Sequence, residues 1–317
     1  MKLPVVNFLP KTRLGFNLSA LTFALAYFFY LKFKRGKEDG IIYTIDLDQF
    51  SFFLIPFLGR PYFFETHAIK KANFIYRFFL RRVRGIVAIN QRIKSYLVHT
   101  FNLGAEKILV FPNGIDLKMF GSIIPSKDAK RQVGLPESRY AVLYIGRFYD
   151  WKGLYTLVPA VEILGAGFTV YLVGGTKHEL IDILGRERLP ENLICLGPKN
   201  YREIPLWIHA ADLLLLLGTR KSDYSYTQTS PMKLFEYMAA RRPIVASRTP
   251  AIEEVVSEKE VIFAEPDSPA DLARAIRSVF QDQEGFKERI NNAWHKVQNF
   301  SWDKRVERIL KLITSSS

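Results

Sequence analysis

The chain has 317 residues, of which 48% are hydrophobic and 14% aromatic. This length and apolar content exclude a disordered chain and are sufficient for two domains, each with a buried core. The single cysteine, Cys195, excludes a disulfide framework and a cysteine-ligated metal site, and its place in the apolar run 193–196 predicts a buried strand thiol.

The net charge of +14 is concentrated in the first third of the chain. Residues 1–116 hold 17 Lys and Arg against 7 Asp and Glu, whereas the rest of the chain holds 28 against 24. No acidic residue occurs between Glu65 and Glu106, and basic and apolar residues alternate there through a predicted helix at 69–84. Such a segment suits an anionic surface, either a membrane or a nucleic acid. A core helix with one solvated basic face is the alternative.

The amino-terminal region contains the apolar segment FNLSALTFALAYFFYL at 16–31, followed by basic residues at 32–37. A transmembrane helix with a positive flank and a buried helix are both compatible with it, and its short length and polar residues favour the buried helix. Charge and prolines precede the apolar run, and no small-residue cleavage pattern follows it. We therefore expect no cleavable signal peptide and a cytoplasmic chain.

Strands and helices alternate along the whole sequence, which predicts parallel sheets covered by helices. In the first part we predict strands at 40–47, 60–67, 85–89 and 107–111, and helical segments at 50–59, 69–84 and 91–101. The turn PNGID at 112–116 and the polar stretch 117–139 form the expected joint between domains. In the second part we predict strands at 141–145, 168–173, 193–196, 212–217 and 244–247, helices at 154–164, 179–187 and 203–210, further elements at 251–257, 261–264 and 269–281, and closing helices near 286–298 and 301–314.

The stretch 223–247 joins a polar loop, a short helix and an apolar strand. Ser230 is a good N-cap and Pro231 suits the first helical position, so we predict that the helix begins there and that its free N–H groups form an anion site over the loop. Lys233 and Glu236 lie three residues apart and therefore on one face of this helix. An ordinary surface Lys–Glu pair is the alternative interpretation.

Glycines follow four of five strands in the second part of the chain, at the end where open parallel sheets bind their ligands. Glycine lets the main chain approach a ligand closely. Arg147 and Lys152 add two cations after the first of these strands, next to the start of the helix at 154–164. This arrangement suits a diphosphate, and solvated loop cations with glycine turns are the alternative.

Four segments, 144–154, 168–175, 196–217 and 230–247, resemble the carboxyl-terminal domain of glycosyltransferase family 4, and PNGID resembles the joint between that family's domains. The family consists of retaining nucleotide-sugar transferases with the GT-B fold. The resemblance implies an α/β chain of two Rossmann-like parallel-sheet domains facing a cleft: an incomplete acceptor-side domain at 1–116, a nucleotide-sugar-binding domain at 117–300, and a closing helix at 301–317 that returns toward the first domain.

The resemblance also implies roles for individual residues. Arg147 and Lys152 match the Arg and Lys that bind the donor diphosphate in place of a metal, and Glu236 matches the glutamate that binds the ribose. His67 and Gln228 stand where the family has a His and a Glu that contact the donor sugar. The other donor-binding residues implied are Gly146, Lys199, Ser230, Pro231, Met232 and Lys233. No metal and no cofactor beyond the nucleotide diphosphate sugar is expected.

Two features depart from the family pattern. Gln228 cannot carry the negative charge of the glutamate that it replaces, and Thr229-Ser230-Pro231 replaces the usual Gly-Phe-Gly. No stretch before residue 40 resembles the family's first strand and glycine-rich loop, so we expect a shortened amino-terminal domain.

The sequence therefore predicts a metal-independent hexosyltransferase acting on the hydroxyl of a glycan, a lipid-linked saccharide or a small molecule. It is expected in the cytoplasm or peripherally on the inner face of an anionic membrane. A catalytically impaired relative that serves as a partner subunit is one alternative. A nucleic-acid-binding protein is another, although no recognisable nucleic-acid motif occurs, and we expect no nucleic-acid partner.

Overall fold

The computed structural model describes residues 12–34, 40–46 and 48–315. The chain divides into two compact units: unit 1 is Met1–Pro112 with Val306–Ser317, and unit 2 is Asn113–Arg305. Residues 1–11, on which the expectation of no cleavable signal peptide partly rests, lie outside the described residues. The basic flank beyond Lys34 and Leu47 at the end of the first predicted strand also lie outside them.

Unit 1 contains a parallel sheet of four strands that are ordered as in the chain. The strands are β1 (Ile42–Ile45), β2 (Tyr62–Thr66), β3 (Gly85–Ala88) and β4 (Ile108–Val110). The helices are α1 (Arg13–Phe29), α2 (Gln49–Phe52), α3 (Phe74–Arg82) and α4 (Gln91–Phe101), with 3₁₀ turns at Ile55–Leu58 and Ala105–Lys107. Every residue of the two central strands is buried, as expected in a parallel sheet.

Unit 2 contains a parallel sheet of six strands in the order β10-β9-β8-β5-β6-β7. The strands are β5 (Tyr140–Ile145), β6 (Phe168–Val173), β7 (Leu193–Cys195), β8 (Leu213–Leu216), β9 (Ile244–Ser247) and β10 (Ile262–Ala264). Alternate residues of β5 belong to two separate apolar clusters, with Leu143 in one and Val142 in the other. Because side chains alternate along a strand, the sheet has a core on each face.

Ten helices follow in the described part of unit 2, and the last of them crosses its boundary with unit 1. They are α5 (Leu117–Phe120), α6 (Ser126–Val133), α7 (Leu154–Leu164), α8 (Lys177–Leu184), α9 (Ile204–Ala210), α10 (Met232–Ala239), α11 (Pro250–Glu253), α12 (Pro269–Gln281), α13 (Gln283–Val297) and α14 (Trp302–Ser315). Short turns lie at Asp150–Lys152, Tyr201–Glu203, Tyr224–Gln228 and Gln298–Phe300. The boundary between the two units falls inside α14.

Several predicted elements are wrong in detail. The predicted helix at 69–84 begins only at Phe74, because Asn73 caps it, and Lys70 before it is buried and paired with Asp46. The segment 50–59 is split into α2 and a 3₁₀ turn that contains Pro56, which lacks the N–H a continuous helix needs. Within the expected joint, the stretch 117–139 contains two helices, α5 and α6, and Cys195, predicted to be buried, is only half-buried.

The interpretation of 16–31 as a buried helix is also wrong. The helix α1 continues into a π turn at Tyr30–Lys34, and the stretch Leu14–Phe33 is long and apolar enough to cross a membrane, with a mean hydropathy of 1.5. Only 22% of its most apolar window is buried. The buried side carries Ala20, Ala24 and Tyr27, whereas Leu14, Phe16, Leu18, Leu25, Phe29 and Phe33 are exposed.

The buried imidazole of His209 makes the stability of unit 2 depend on pH. His209 is 1% exposed, and burial, with the charge of Arg242, lowers its pKa to about 4, although a hydrogen bond with the backbone of Ser122 acts in the opposite direction. Since the pKa is about 6.5 in the unfolded chain, the unfolded state binds the proton first as the pH falls. The contribution of neutral His209 is therefore present above about pH 6.5 and is lost toward pH 4.

We expect the free energy of unfolding of the wild type, relative to His209→Leu, to fall by about 3 kcal/mol between pH 7 and pH 4. Denaturant titrations at a series of pH values measure this difference. His295→Gln, at an exposed histidine of α13, is the matched control and should leave the pH dependence unchanged. A constant difference between the wild type and His209→Leu would contradict the assignment.

Candidate functional site

The strand order of unit 2 creates a crevice at the carboxyl ends of β5 and β8. From β5 the chain passes to β6 on one side, whereas from β8 it passes to β9 on the other side. The loops that leave these two neighbouring strands therefore diverge, and open α/β sheets bind their ligands at such a point. The loops are 146–153 and 217–231, and they hold most of the residues predicted for the site.

Glycines allow the backbones around this crevice to meet. A Cβ on Gly153, which has φ +74°, would lie 2.9 Å from the carbonyl oxygen of Gly218 in the other loop. A Cβ on Gly174, after β6, would lie 2.3 Å from the carbonyl oxygen of Gly146. Only glycine tolerates such contacts together with positive φ, so these residues fix the position of the loop that carries Lys152.

Lys152 occupies the last position of the turn Asp150–Lys152, directly before Gly153 and α7. Its side chain is half-buried, and within the described ranges no carboxylate lies within ion-pair distance of it. Burial, together with the positive charge of Lys233, lowers the pKa of Lys152 below its ordinary value. The structure therefore holds two ammonium groups near each other, which favours an anionic ligand between them.

Lys233 and Glu236 form the predicted pair, but it is not a surface pair. The Lys233 Nζ donates to Glu236 Oε2 at 2.6 Å, and the carboxylate of Glu236 is 2% exposed. Burial raises the pKa of Glu236, and Lys233 acts in the opposite direction. The neighbouring Tyr237 is wholly buried, and its hydroxyl accepts a hydrogen bond from Ile145 N at 3.2 Å, which ties α10 to the end of β5.

The start of α10 differs from the prediction. The helix begins at Met232, and its N-cap position is Pro231, which has no side-chain hydrogen bond. Ser230 is not a cap, because its hydroxyl accepts from the N–H of Asn113 at 3.1 Å. The N–H groups of Met232 and Leu234 bond to Ser230 and Pro231 carbonyls, so fewer free N–H groups face the loop than expected.

Gln228 ends a π turn, Tyr224–Gln228, in what was predicted to be an irregular loop. Its Nε2 donates to Asp223 Oδ2 at 2.6 Å. Asp223 therefore places a carboxylate beside the glutamine that replaces the family's glutamate. Asp223 was not predicted, because the π turn that brings residues five positions apart together is rare and nothing in the sequence indicated it.

The remaining predicted residues of unit 2 lie on the loops around the same sheet edge. Gly146 and Arg147 follow β5 directly, and the side chain of Arg147 is exposed. Lys199 follows β7, and its Nζ lies 5.0 Å from the centre of the Trp207 ring.

His67 belongs to unit 1, at the end of β2. Its Nε2 lies 2.5 Å from Glu65 Oε1, while Tyr43 donates its hydroxyl to the other carboxylate oxygen of Glu65 at 2.5 Å. The main-chain N–H of His67 donates to Asp46. This network fixes the orientation of the imidazole, so the histidine is held by polar contacts rather than packed in a core.

An aromatic cluster next to Lys152 was not predicted. Tyr149, Trp151 and Tyr224 come together from the two loops at the crevice. The aromatic residues flanking Asp150 in FYDWKG were the available signal in the sequence, but nothing in them indicates the partner on the distant loop.

Two family models match the sequence of this chain. The family model described as Glycosyl transferases group 1 matches residues 125–297, and the model described as Glycosyltransferase Family 4 matches residues 40–119. A D-inositol 3-phosphate glycosyltransferase from Corynebacterium efficiens is 24% identical over 250 residues, which cover 73% of this chain. The chain spans only 57% of the length of that relative.

Solved structures show the same fold. A glycosyltransferase from Rickettsia africae superposes with a TM-score of 0.78 at 17% identity, covering 98% of this chain and 84% of that one. The HepE protein from Anabaena, in complex with UDP-glucose, superposes with a TM-score of 0.69 at 20% identity, covering 92% of this chain and 82% of that one. The predicted α/β fold of the GT-B class is confirmed.

The buried Lys233–Glu236 pair predicts a pH-dependent cost for Lys233→Met. Without the ammonium, the pKa of the buried Glu236 should rise further, above its value in the unfolded chain. For such a carboxyl the stability is fully present below the unfolded pKa and is lost as the pH rises. We expect Lys233→Met to cost about 1–2 kcal/mol more at pH 8 than at pH 5, measured by chemical denaturation.

The control is Lys233→Met in a Glu236→Gln background: measured against Glu236→Gln alone, the cost should be equal at both pH values, since neither chain has a carboxyl at 236 to titrate. An equal cost in the single variant would mean that Lys233 does not hold Glu236 ionised.

Proposed function

The chain belongs to the glycosyl transferases group 1 family, and we propose that it moves a sugar from a nucleotide diphosphate sugar to an acceptor hydroxyl with retention of configuration. When the bond between the anomeric carbon and the diphosphate oxygen breaks, negative charge develops on the departing diphosphate. Groups that meet this charge stabilise the transition state more than the ground state.

The surroundings of Lys152 are the main support for this proposal. Its ammonium is half-buried at the topological switch point, close to a second cation and without a carboxylate partner in the parts of the chain that the structure describes. A diphosphate would supply the missing negative charge. Arg147 on the same loop would add a second donor, so that two side-chain cations take the part that a metal ion plays elsewhere.

The other residues have corresponding roles in the proposal. The carboxylate of Glu236 would accept hydrogen bonds from the two ribose hydroxyls, and the loop at Lys199 would contact the base. Gln228, oriented by Asp223, would bind a sugar hydroxyl, with Asp223 supplying the negative charge that the glutamine lacks. The resemblance alone assigns His67, in unit 1, to the donor sugar. Gly146, Ser230, Pro231 and Met232 would line the diphosphate side.

The similarity to HepE, whose structure contains UDP-glucose, supports a nucleoside diphosphate sugar as the donor class. The acceptor in this proposal is a saccharide or lipid-linked hydroxyl. A relative that binds the donor without transferring sugar is the competing assignment, and release of nucleoside diphosphate on addition of acceptor distinguishes the two.

Lys152→Ala should lower the affinity for UDP, GDP or ADP, whichever binds the wild type, and should lower turnover by at least tenfold, because it removes a cation at the diphosphate. Isothermal titration calorimetry and release of nucleoside diphosphate from the sugar donor measure the two effects. Lys177→Ala, at an exposed lysine on α8, is the control. Unchanged affinity and rate in a folded Lys152→Ala would remove this site from consideration.

We also propose that unit 1 rests on an anionic membrane surface, where a lipid-linked acceptor would be found. Phe74 on α3 is 80% exposed, Phe57 stacks on Phe78, and Arg77, Arg81, Arg82 and Arg84, on α3 or just after it, are exposed. The exposed Leu and Phe side chains of α1 add apolar area in the same unit. Basic residues attract anionic lipids, while aromatic and aliphatic residues enter the interface.

Arg81→Gln with Arg84→Gln should weaken binding to phosphatidylcholine vesicles that contain phosphatidylglycerol by about tenfold or more, since each cation near such a surface contributes about 1 kcal/mol. Co-sedimentation measures the bound fraction. The control, Arg188→Gln with Arg202→Gln, removes the same charge from unit 2. No preference of the wild type for the anionic vesicles would contradict this proposal.

A further inference from the structure

The aromatic cluster beside Lys152 joins the two loops of the crevice. Trp151 stacks on Tyr149 with ring centres 5.5 Å apart and an interplanar angle of 9°. Tyr224, from the loop after β8, meets Trp151 edge to face at 5.1 Å and 81°. The indole is therefore held from two sides, in arrangements that aromatic pairs favour.

The ammonium of Lys152 lies over this indole, with Nζ 4.4 Å from the ring centre. The two lysines of the site thus have different partners. Lys233 is paired with the carboxylate of Glu236, whereas Lys152 faces an aromatic ring. A ring face attracts a cation through its quadrupole but carries no net charge, so Lys152 keeps its full positive charge for a ligand.

We propose that Trp151 is a positioning residue for Lys152: its indole face holds the ammonium charged and directed at the crevice, ready for the diphosphate of the donor. This inference rests on the proposed function. A carboxylate in the same place would form an ion pair that the diphosphate has to break before it binds, and it would cancel the charge that attracts the diphosphate. The indole avoids both costs.

The surroundings of Lys152 explain why such a partner is needed. The ionisable groups on the neighbouring elements are Lys233, Glu236 and Tyr237 on α10, Tyr155 on α7, Arg220, Lys221, Asp223, Tyr224 and Tyr226 on the loop after β8, and Arg147, Tyr149 and Asp150 on its own loop. Burial, and then the charge of Lys233, hold the pKa of Lys152 below its ordinary value. Removing the indole takes away an attractive contact and should lower the pKa further.

The test compares Trp151→Leu with Trp151→Phe, which keeps an aromatic face. UDP, GDP and ADP are titrated calorimetrically into the full chain from about pH 7 to about pH 10, where the lysine begins to lose its proton. For the nucleotide that binds the wild type, Trp151→Leu should weaken affinity by about tenfold. It should also move the alkaline loss of affinity to lower pH. Trp151→Phe should stay within about threefold of the wild type.

The same substitution in a Lys152→Ala background separates positioning from general damage to the loop. There, Trp151→Leu should have no further effect on affinity, because the group it positions is gone. Circular dichroism and thermal unfolding check that each variant is folded.

Three outcomes would overturn the inference: wild-type affinity in Trp151→Leu, equal losses in the Leu and Phe variants, or a loss that persists in the Lys152→Ala background. The proposed function fails separately, if no nucleoside diphosphate binds the wild type or if Lys152→Ala binds as tightly as the wild type.

Discussion

The candidate site depends on one constraint, the uncompensated positive charge of Lys152 where the loops after β5 and β8 diverge. The parallel strand order opens the crevice at this point, and the contact between Gly153 and Gly218 fixes how near the loops approach. Burial and Lys233 make the ammonium costly to keep charged. An anionic ligand relieves that cost, so the features that disfavour the charged ammonium are the features that favour binding of an anion.

The two halves of the chain use their charges differently. In unit 2 the functional cations are few: Lys233 is paired with the buried carboxylate of Glu236, and Lys152 faces the indole of Trp151. In unit 1 the cations are numerous and exposed, next to exposed Phe and Leu side chains. The first pattern suits recognition of one small anion, and the second suits an extended anionic surface. The proposed membrane contact would account for the excess charge in the first third of the sequence.

Most of the sheet framework could be predicted from the sequence, because buried parallel strands are continuous apolar runs bounded by glycine or proline. The strand β6 and the helices α4 and α7 have the predicted bounds. The prediction failed where contacts distant in sequence decide the outcome. Ser230 is a residue type that favours the N-cap position. Its hydroxyl instead accepts a hydrogen bond from the main-chain N–H of Asn113, which is distant in sequence. The burial of α1 was overestimated, because hydropathy alone does not indicate which face packs.

For the site, the resemblance supplied residues but not their contacts. Lys152 and Glu236 were predicted from their motifs, whereas the contact between Trp151 and Tyr224 was not, since no spacing rule connects residues on the loops after β5 and β8. The charge missing from Gln228 lies on Asp223, which a residue-by-residue match to a family cannot detect.

The most direct test of the central claim is a crystal structure with the nucleoside diphosphate that binds most tightly. The account predicts that the terminal phosphate lies within hydrogen-bond distance of Lys152 Nζ and Arg147, with the ribose hydroxyls on Glu236. A nucleotide bound elsewhere, or a diphosphate that points away from the loop at 146–153, would contradict it.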